Sequence, residues 1–146
     1  MLKHSKWFLV VGLVIAAVIL SLFAYLHAPP ATTVPFNVTN VSIDNSTYRV
    51  FLASTEQQQI RGLMNYTFSN TNAIVGELFI NLPSYPCFWM KNTLEPLSQA
   101  WIENGSVIYI YNATPESDYV VCHNGSMVLE LKKGIPVKLG DRVAVG

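Results

Sequence analysis

The nine residues Pro86–Leu94, PCFWMKNTL, hold the densest set of chemically useful side chains in the sequence. Trp89 offers a flat apolar face, Lys91 a cation, and Asn92 a paired donor and acceptor. Set on the rim of one groove, with Arg61 joining from elsewhere in the chain, these four side chains would bind a sugar, a peptide or a carboxylate. The plainer reading is structural. On a strand the side chains alternate, so Phe88 and Met90 would fill a core while Trp89 and the stem of Lys91 cover the opposite face. Asn92 and Thr93 would then hydrogen-bond backbone in the turn before Pro96. The residues alone leave both readings open.

Catalytic chemistry has less to draw on. Glu95, Glu103, Glu116, Asp118, Glu130 and Asp141 are scattered, and spacing alone places no pair of them for acid–base work. The sequence has no Gly-x-Ser-x-Gly, no phosphate-binding loop and no metal-binding histidine pair. A zinc site would need four ligands, and only Cys87, Cys122 and His123 offer themselves. No catalytic residue, metal or cofactor is therefore assigned. Asp141, in LGDRV, reads as a brace for the last turn. Cys87 and Cys122 are the only cysteines. In an oxidising compartment such a pair reads as a disulfide. Closing a loop of about 35 residues would stabilise by up to roughly 4 kcal/mol in the chain-entropy treatment. Two buried free thiols are the alternative.

The compartment follows from the other end of the chain. WFLVVGLVIAAVILSLFAYL, Trp7–Leu26, carries no charge. As a helix it would span about 30 Å, the thickness of a bilayer core. Lys3 and Lys6 precede it, which holds the N-terminus in the cytoplasm and sends the rest out. The expected organisation is a cytoplasmic end over residues 1–6, a transmembrane signal anchor over 7–26, a stiff Pro/Thr linker over 27–35 and an extracytoplasmic domain over 36–146. A cleaved signal peptide fits less well, because Leu26-His27-Ala28 has Leu where a small residue is wanted. A pilin-like leader, with the helix in a filament core, is the third possibility.

Asn37, Asn40, Asn45, Asn65, Asn104, Asn112 and Asn124 all begin Asn-x-Ser/Thr acceptors for N-glycosylation. Composition alone would give roughly two, so glycans on an external surface are expected. An Asn/Thr-rich surface that generates unused acceptors is the alternative. The net charge is zero and only 12% of residues are charged. That excludes a basic nucleic-acid surface. It suits a surface whose hydration changes little with pH, as an acidic exterior would require. The partners expected are the membrane, through a single pass, and an envelope protein or glycan.

Period-two alternation dominates the external domain. Phe36 and Val38 oppose Asn37 and Thr39, with a slip near Asn40 that predicts a bulge. Tyr48, Val50 and Leu52 alternate against Arg49 and Phe51. Ser54 or Thr55 caps the one short helix predicted, with Ile60, Leu63 and Met64 at helical spacing. AIVGELFI reads as a buried strand, and Phe88–Lys91 as another. Asn104-Gly105 and Asn124-Gly125 each signal a two-residue hairpin. Six or more short strands and one helix predict a mainly β (α+β) domain, a small closed or barrel-like sheet, preceded by one transmembrane helix.

Four phrases, in order and at matching spacing, resemble the DUF192 family (UPF0127): ASTEQQQIRGLM, GELFINLP, FWMKNTLEPLSQAWI and VLELKKGIPVKLGDRV. The resemblance spans nearly the whole external domain. It implies a compact β-rich domain with a short helix, often behind a signal or anchor segment, and it supplies no activity. One departure stands out. Where the family has PLDIAF this chain has PLSQAW, with Ser98 in place of an aspartate. The sequence therefore points to a membrane-anchored, externally displayed, glycosylated envelope domain that binds or scaffolds. An extracytoplasmic enzyme acting on glycans or peptides, or a filament subunit, would be the alternatives.

Overall fold

β1 (Asn37–Ile43) and β2 (Ser46–Ala53) pair in antiparallel fashion, from Asn37 opposite Leu52 to Ile43 opposite Ser46. The computed structural model describes residues 35–69 and 73–146. The segment Trp7–Leu26 lies outside them, and among the described residues no helix is long and apolar enough to cross a membrane. After β2 come α1 (Glu56–Arg61), β3 (Ile74–Phe79), β4 (Cys87–Phe88), β5 (Leu97–Glu103), β6 (Ser106–Ala113), β7 (Val121–Cys122), β8 (Met127–Lys132) and β9 (Val143–Val145).

Seven strands form one sheet in the order β6-β5-β8-β3-β2-β1-β9, while β4 and β7 make a separate two-stranded ribbon. Among the described residues only β2 and β3 run parallel, and α1 sits in the connection between them. The expected barrel is a curled half-barrel instead. Its two edges meet at one corner, where Ser106 bridges Arg142. There the Val107 N–H donates to Asp141 O at 3.0 Å and the Val143 N–H to Gly105 O at 2.9 Å. Asp141 braces this corner by accepting the Lys138 N–H at 2.7 Å.

Local sequence explains most of the elements. Asn104 (φ 50°) and Gly105 (φ 71°) both take the left-handed conformation, as a two-residue turn between β5 and β6 requires. Thr55 caps α1, and the side chain of Gln58 closes the capping box.

Three expectations are corrected. The β1–β2 register is unbroken at Asn40, and the irregularity lies between Arg49 and Phe51, where β2 meets β3. That shift lets the neighbours Val50 and Phe51 both be buried. The second hairpin does not form, because β7 pairs with β4 and β8 pairs with β3 and β5. Gly125 instead crosses the end of β5, and a Cβ there would stand 3.3 Å from both Ile102 O and Trp101 Cδ1. The strand expected over Phe88–Lys91 ends at Phe88.

Cys87 lies opposite Cys122 across the ribbon, and the two form a disulfide with their Cα atoms 4.1 Å apart. The ribbon has only two residues per strand, so this bond is its main fastening. Replacing both cysteines, Cys87→Ser with Cys122→Ser, should cost about 2–4 kcal/mol. Urea unfolding of the purified chain measures this, and an unchanged midpoint would show that the ribbon holds without the bond.

Candidate functional site

Strand registers place two rows of side chains on the face of the sheet beneath α1. One row runs Ala53, Phe79, Val128, Trp101 and Tyr109. The next runs Phe51, Glu77, Glu130, Gln99 and Tyr111. The middle of this second row is polar and buried, with Glu77 at 0%, Glu130 at 4% and Gln99 at 1% exposure. Apolar clusters flank it. Ala53, Phe79, Trp101, Val121 and Val128 pack on one side, and Phe51, Leu63, Met90 and Leu97 on the other.

Gln99 Nε2 donates to Glu130 Oε1 at 2.9 Å and lies 3.8 Å from Met90 Sδ. Neither carboxyl oxygen of Glu77 has a hydrogen-bond partner among the described residues. Burial pushes Glu77 up to about 9, the charge of Glu130 adds to the rise, and Arg61 opposes it. Burial also lifts Glu130 to about 7, against the stabilising hydrogen bond from Gln99. Two carboxylates opposed across neighbouring strands inside an apolar face would repel with little water to screen them, so the pair keeps a proton at neutral pH.

Above Glu130 lies a recess of about 30 Å³, walled by Arg61, Leu63, Phe88, Trp89, Lys91 and Thr93. It adjoins a groove of about 340 Å³ lined by Ile60, Met64, Leu82, Pro86, Phe88 and Trp89. The groove is open and its walls are mostly apolar, with Ile60 67% and Trp89 43% exposed and Glu56 and Gln59 as its polar members.

Each wall is fastened independently. On the α1 side, Gln59 Nε2 donates to Ile80 O at 2.7 Å and Gln58 Nε2 to Pro35 O at 3.1 Å. The Arg61 guanidinium lies 3.9 Å above the Phe36 ring, which stacks on Phe51. On the β4 side, the disulfide is joined by Trp101 Nε1–H donating to Pro86 O at 3.2 Å. Phe88 packs edge-on to Phe79 and Trp101. The Lys91 ammonium stands 5.1 Å above the ring of Trp89.

Of the side chains singled out from sequence, Arg61, Trp89 and Lys91 wall this recess. Asn92 is not part of it. It takes φ 55° in a turn, and its carbonyl accepts the Asn65 N–H at 2.8 Å. Ser98 pairs with Leu131 on the other face of the sheet and donates to Asn112 Oδ1 at 3.2 Å. A carboxylate in its place would therefore point away from the recess.

Sequence reasoning passed over Glu77 and Gln99 and treated Glu130 as one scattered acid. The signal was present. Glu77 is the one charge inside AIVGELFI, and Glu130 is the one acid in MVLELK. All seven glycosylation acceptors are exposed. So are Asn81 and Asn92, which lack the motif, so exposure permits glycans without marking them. None of the seven lines the recess or the groove.

A carboxyl whose folded pKa exceeds its unfolded value stabilises fully below the unfolded value and loses that contribution as pH rises through the folded one. For Glu77 this window runs from 4.5 to about 9. Stability should fall steadily between pH 5 and pH 8. Glu77→Gln should flatten that slope and add about 3 kcal/mol at pH 7. Urea midpoints across that range test it, and an equal slope in both proteins would refute the assignment.

Two solved structures illustrate what the chain is similar to. One is a candidate transcription regulator from Sinorhizobium meliloti 1021, 28% identical, with a TM-score of 0.67 over 77% of this chain and 96% of that one. The other is a protein of unknown function from Novosphingobium aromaticivorans DSM 12444, also 28% identical, with a TM-score of 0.67 over 83% of this chain and 96% of that one. No curated protein matches. Residues 39–145, β1 to β9, match the family described as Uncharacterized ACR. The match spans well over half of the sequence, and the chain belongs to the DUF192 family.

Proposed function

We propose that this protein is a membrane-anchored, extracytoplasmic binding domain whose groove between α1 and β4 takes up a ligand of the cell envelope. The observation that carries the reading is the groove itself: an open, mostly apolar channel, held between a capped helix and a disulfide-fastened ribbon, ending at a charged recess. Ligand sites have this composition, mostly apolar walls with a few placed polar groups. The disulfide between the two cysteines of the chain supports an oxidising compartment. The glycosylation acceptors support the same side of the membrane, and their absence from the groove leaves it accessible. The anchor itself rests on the apolar run Trp7–Leu26.

An enzyme has one observation in its favour, Glu130 in the recess with its raised pKa. Acid–base work there would need a second group against the ligand, and Glu77 lies outside the recess lining. Binding is therefore the better reading. The regulator role given to the Sinorhizobium structure gains no support from a chain with nine basic and nine acidic residues.

Two measurements test the proposal. Intact mass of the native chain, taken without reduction, should show glycan on at least one acceptor and the disulfide closed. A bare, reduced chain would end the extracytoplasmic reading. Benzoylphenylalanine placed at Ile60 should give a ligand adduct on irradiation in native membranes, and the same probe at the equally exposed Leu139 should not. No adduct at position 60, or the same adduct at both, would sink the binding reading.

A further inference from the structure

The recess and groove differ in chemistry, and the difference narrows the ligand. The recess, at about 30 Å³, is too small for a sugar ring. Each water-sized occupant needs roughly 10–15 Å³ of such space, so about two oxygen atoms fit. Its charged walls are Arg61 and Lys91, with Glu130 as the one acid of the recess, while Glu56 lies on the adjoining groove. Two cations over one acid leave a positive field, which selects an anionic head. The adjoining groove selects an apolar body. Along its rim, the N–H and C=O of Trp89 make no backbone hydrogen bond among the described residues. An acyl chain would leave these groups to water, whereas an extended peptide would pair with them beside β4.

We propose, building on the groove-binding reading, that the groove takes the C-terminal end of an extended apolar peptide, with the terminal carboxylate in the recess between Arg61 and Lys91. The last side chains lie against Ile60, Met64, Phe88 and Trp89. Glu130 tunes the site from below. When it is protonated it offers the carboxylate a hydrogen-bond donor, and when it is ionised it repels the ligand. The charged and titratable groups around it are Glu77 on β3, Arg61 on α1 and Lys91 after β4, with the uncharged Gln99 on β5 holding its Oε1. Affinity therefore rises as pH falls.

The test uses full-length protein in lipid nanodiscs, with empty nanodiscs as the blank. The probe is a fluorescein-labelled pool of hexapeptides ending in Leu, Ile, Val or Phe, as free acids and as C-terminal amides. By fluorescence anisotropy the free acids should bind at least tenfold more tightly than the amides. Lys91→Gln, at an exposed position, should remove most of that difference. Free-acid affinity should be higher at pH 5.5 than at pH 8.5, and Glu130→Gln should abolish that dependence. If acid and amide bind equally, the carboxylate inference is wrong and the groove reading stands. If neither pool binds, the peptide inference is wrong, and the adduct at position 60 decides the groove reading separately.

Discussion

Two glutamates meet across β3 and β8 inside an apolar face, and much of the domain is arranged around them. A buried carboxyl pair is tolerated when it is neutral and when its neighbours supply hydrogen bonds. Gln99 supplies one to Glu130. Glu77 receives none among the described residues, so protonation does the remaining work. The strands carrying the pair are held unusually close. A Cβ on Gly76 would lie 1.9 Å from Glu130 O, so only glycine fits there. The polar row then divides the covered face into two apolar clusters, each capped by its own loop side chains. The recess sits above this division, where an apolar side chain pressed onto Glu130 would leave its carboxyl with no partner but Gln99.

The cover over that row consists of two pieces with different fastenings. α1 is only six residues long, too short to persist without its caps and side-chain anchors. Gln58 serves both, closing the capping box with its oxygen and reaching Pro35 with its nitrogen. The β4 segment has almost no regular hydrogen bonding and relies on the disulfide, the Trp101 indole and the packing of Phe88. A cleft between two such pieces can keep its width without continuous packing across it. That is why apolar side chains as large as Ile60 and Trp89 stay exposed.

How far the sequence could be read follows the range of the interactions involved. Local chemistry was legible. The Thr55 cap and the Asn104-Gly105 turn are each set by a few adjacent residues. The disulfide was legible because two cysteines allow one pairing. What failed was non-local. Asn124-Gly125 has turn chemistry, yet Cys122 is committed to β4 and Gly125 to the end of β5. The slip ascribed to Asn40 arose one strand away, where β2 changes register against β3. In the site, Arg61, Trp89 and Lys91 stood out by type. The carboxyl pair did not, because Glu77 and Glu130 are 53 positions apart (130 − 77) and only strand order makes them neighbours. Asn92 stood out by type too, but its left-handed backbone gives it to the turn.

The distribution of acceptor asparagines has a further consequence for how copies of this protein share a surface. The sheet is open, so it has two margins. β6 forms one of them, and β9 pairs with β1 only from Val41 to Ile43, with the Gly146 N–H reaching Asn40 O, so among the described residues Asn37–Thr39 have no strand backbone beside them on that side. Uncovered margins are templates on which another chain can add as a strand, the usual first step of ordered aggregation. Asn37 stands on the bare end of β1, Asn40 at the limit of its cover, and Asn112 on β6. A branched sugar at any of them would act as a bumper, keeping neighbouring sheets beyond hydrogen-bonding reach. Glycosylation would then govern the colloidal behaviour of crowded copies, and the protein could tolerate an unclosed barrel at high local density.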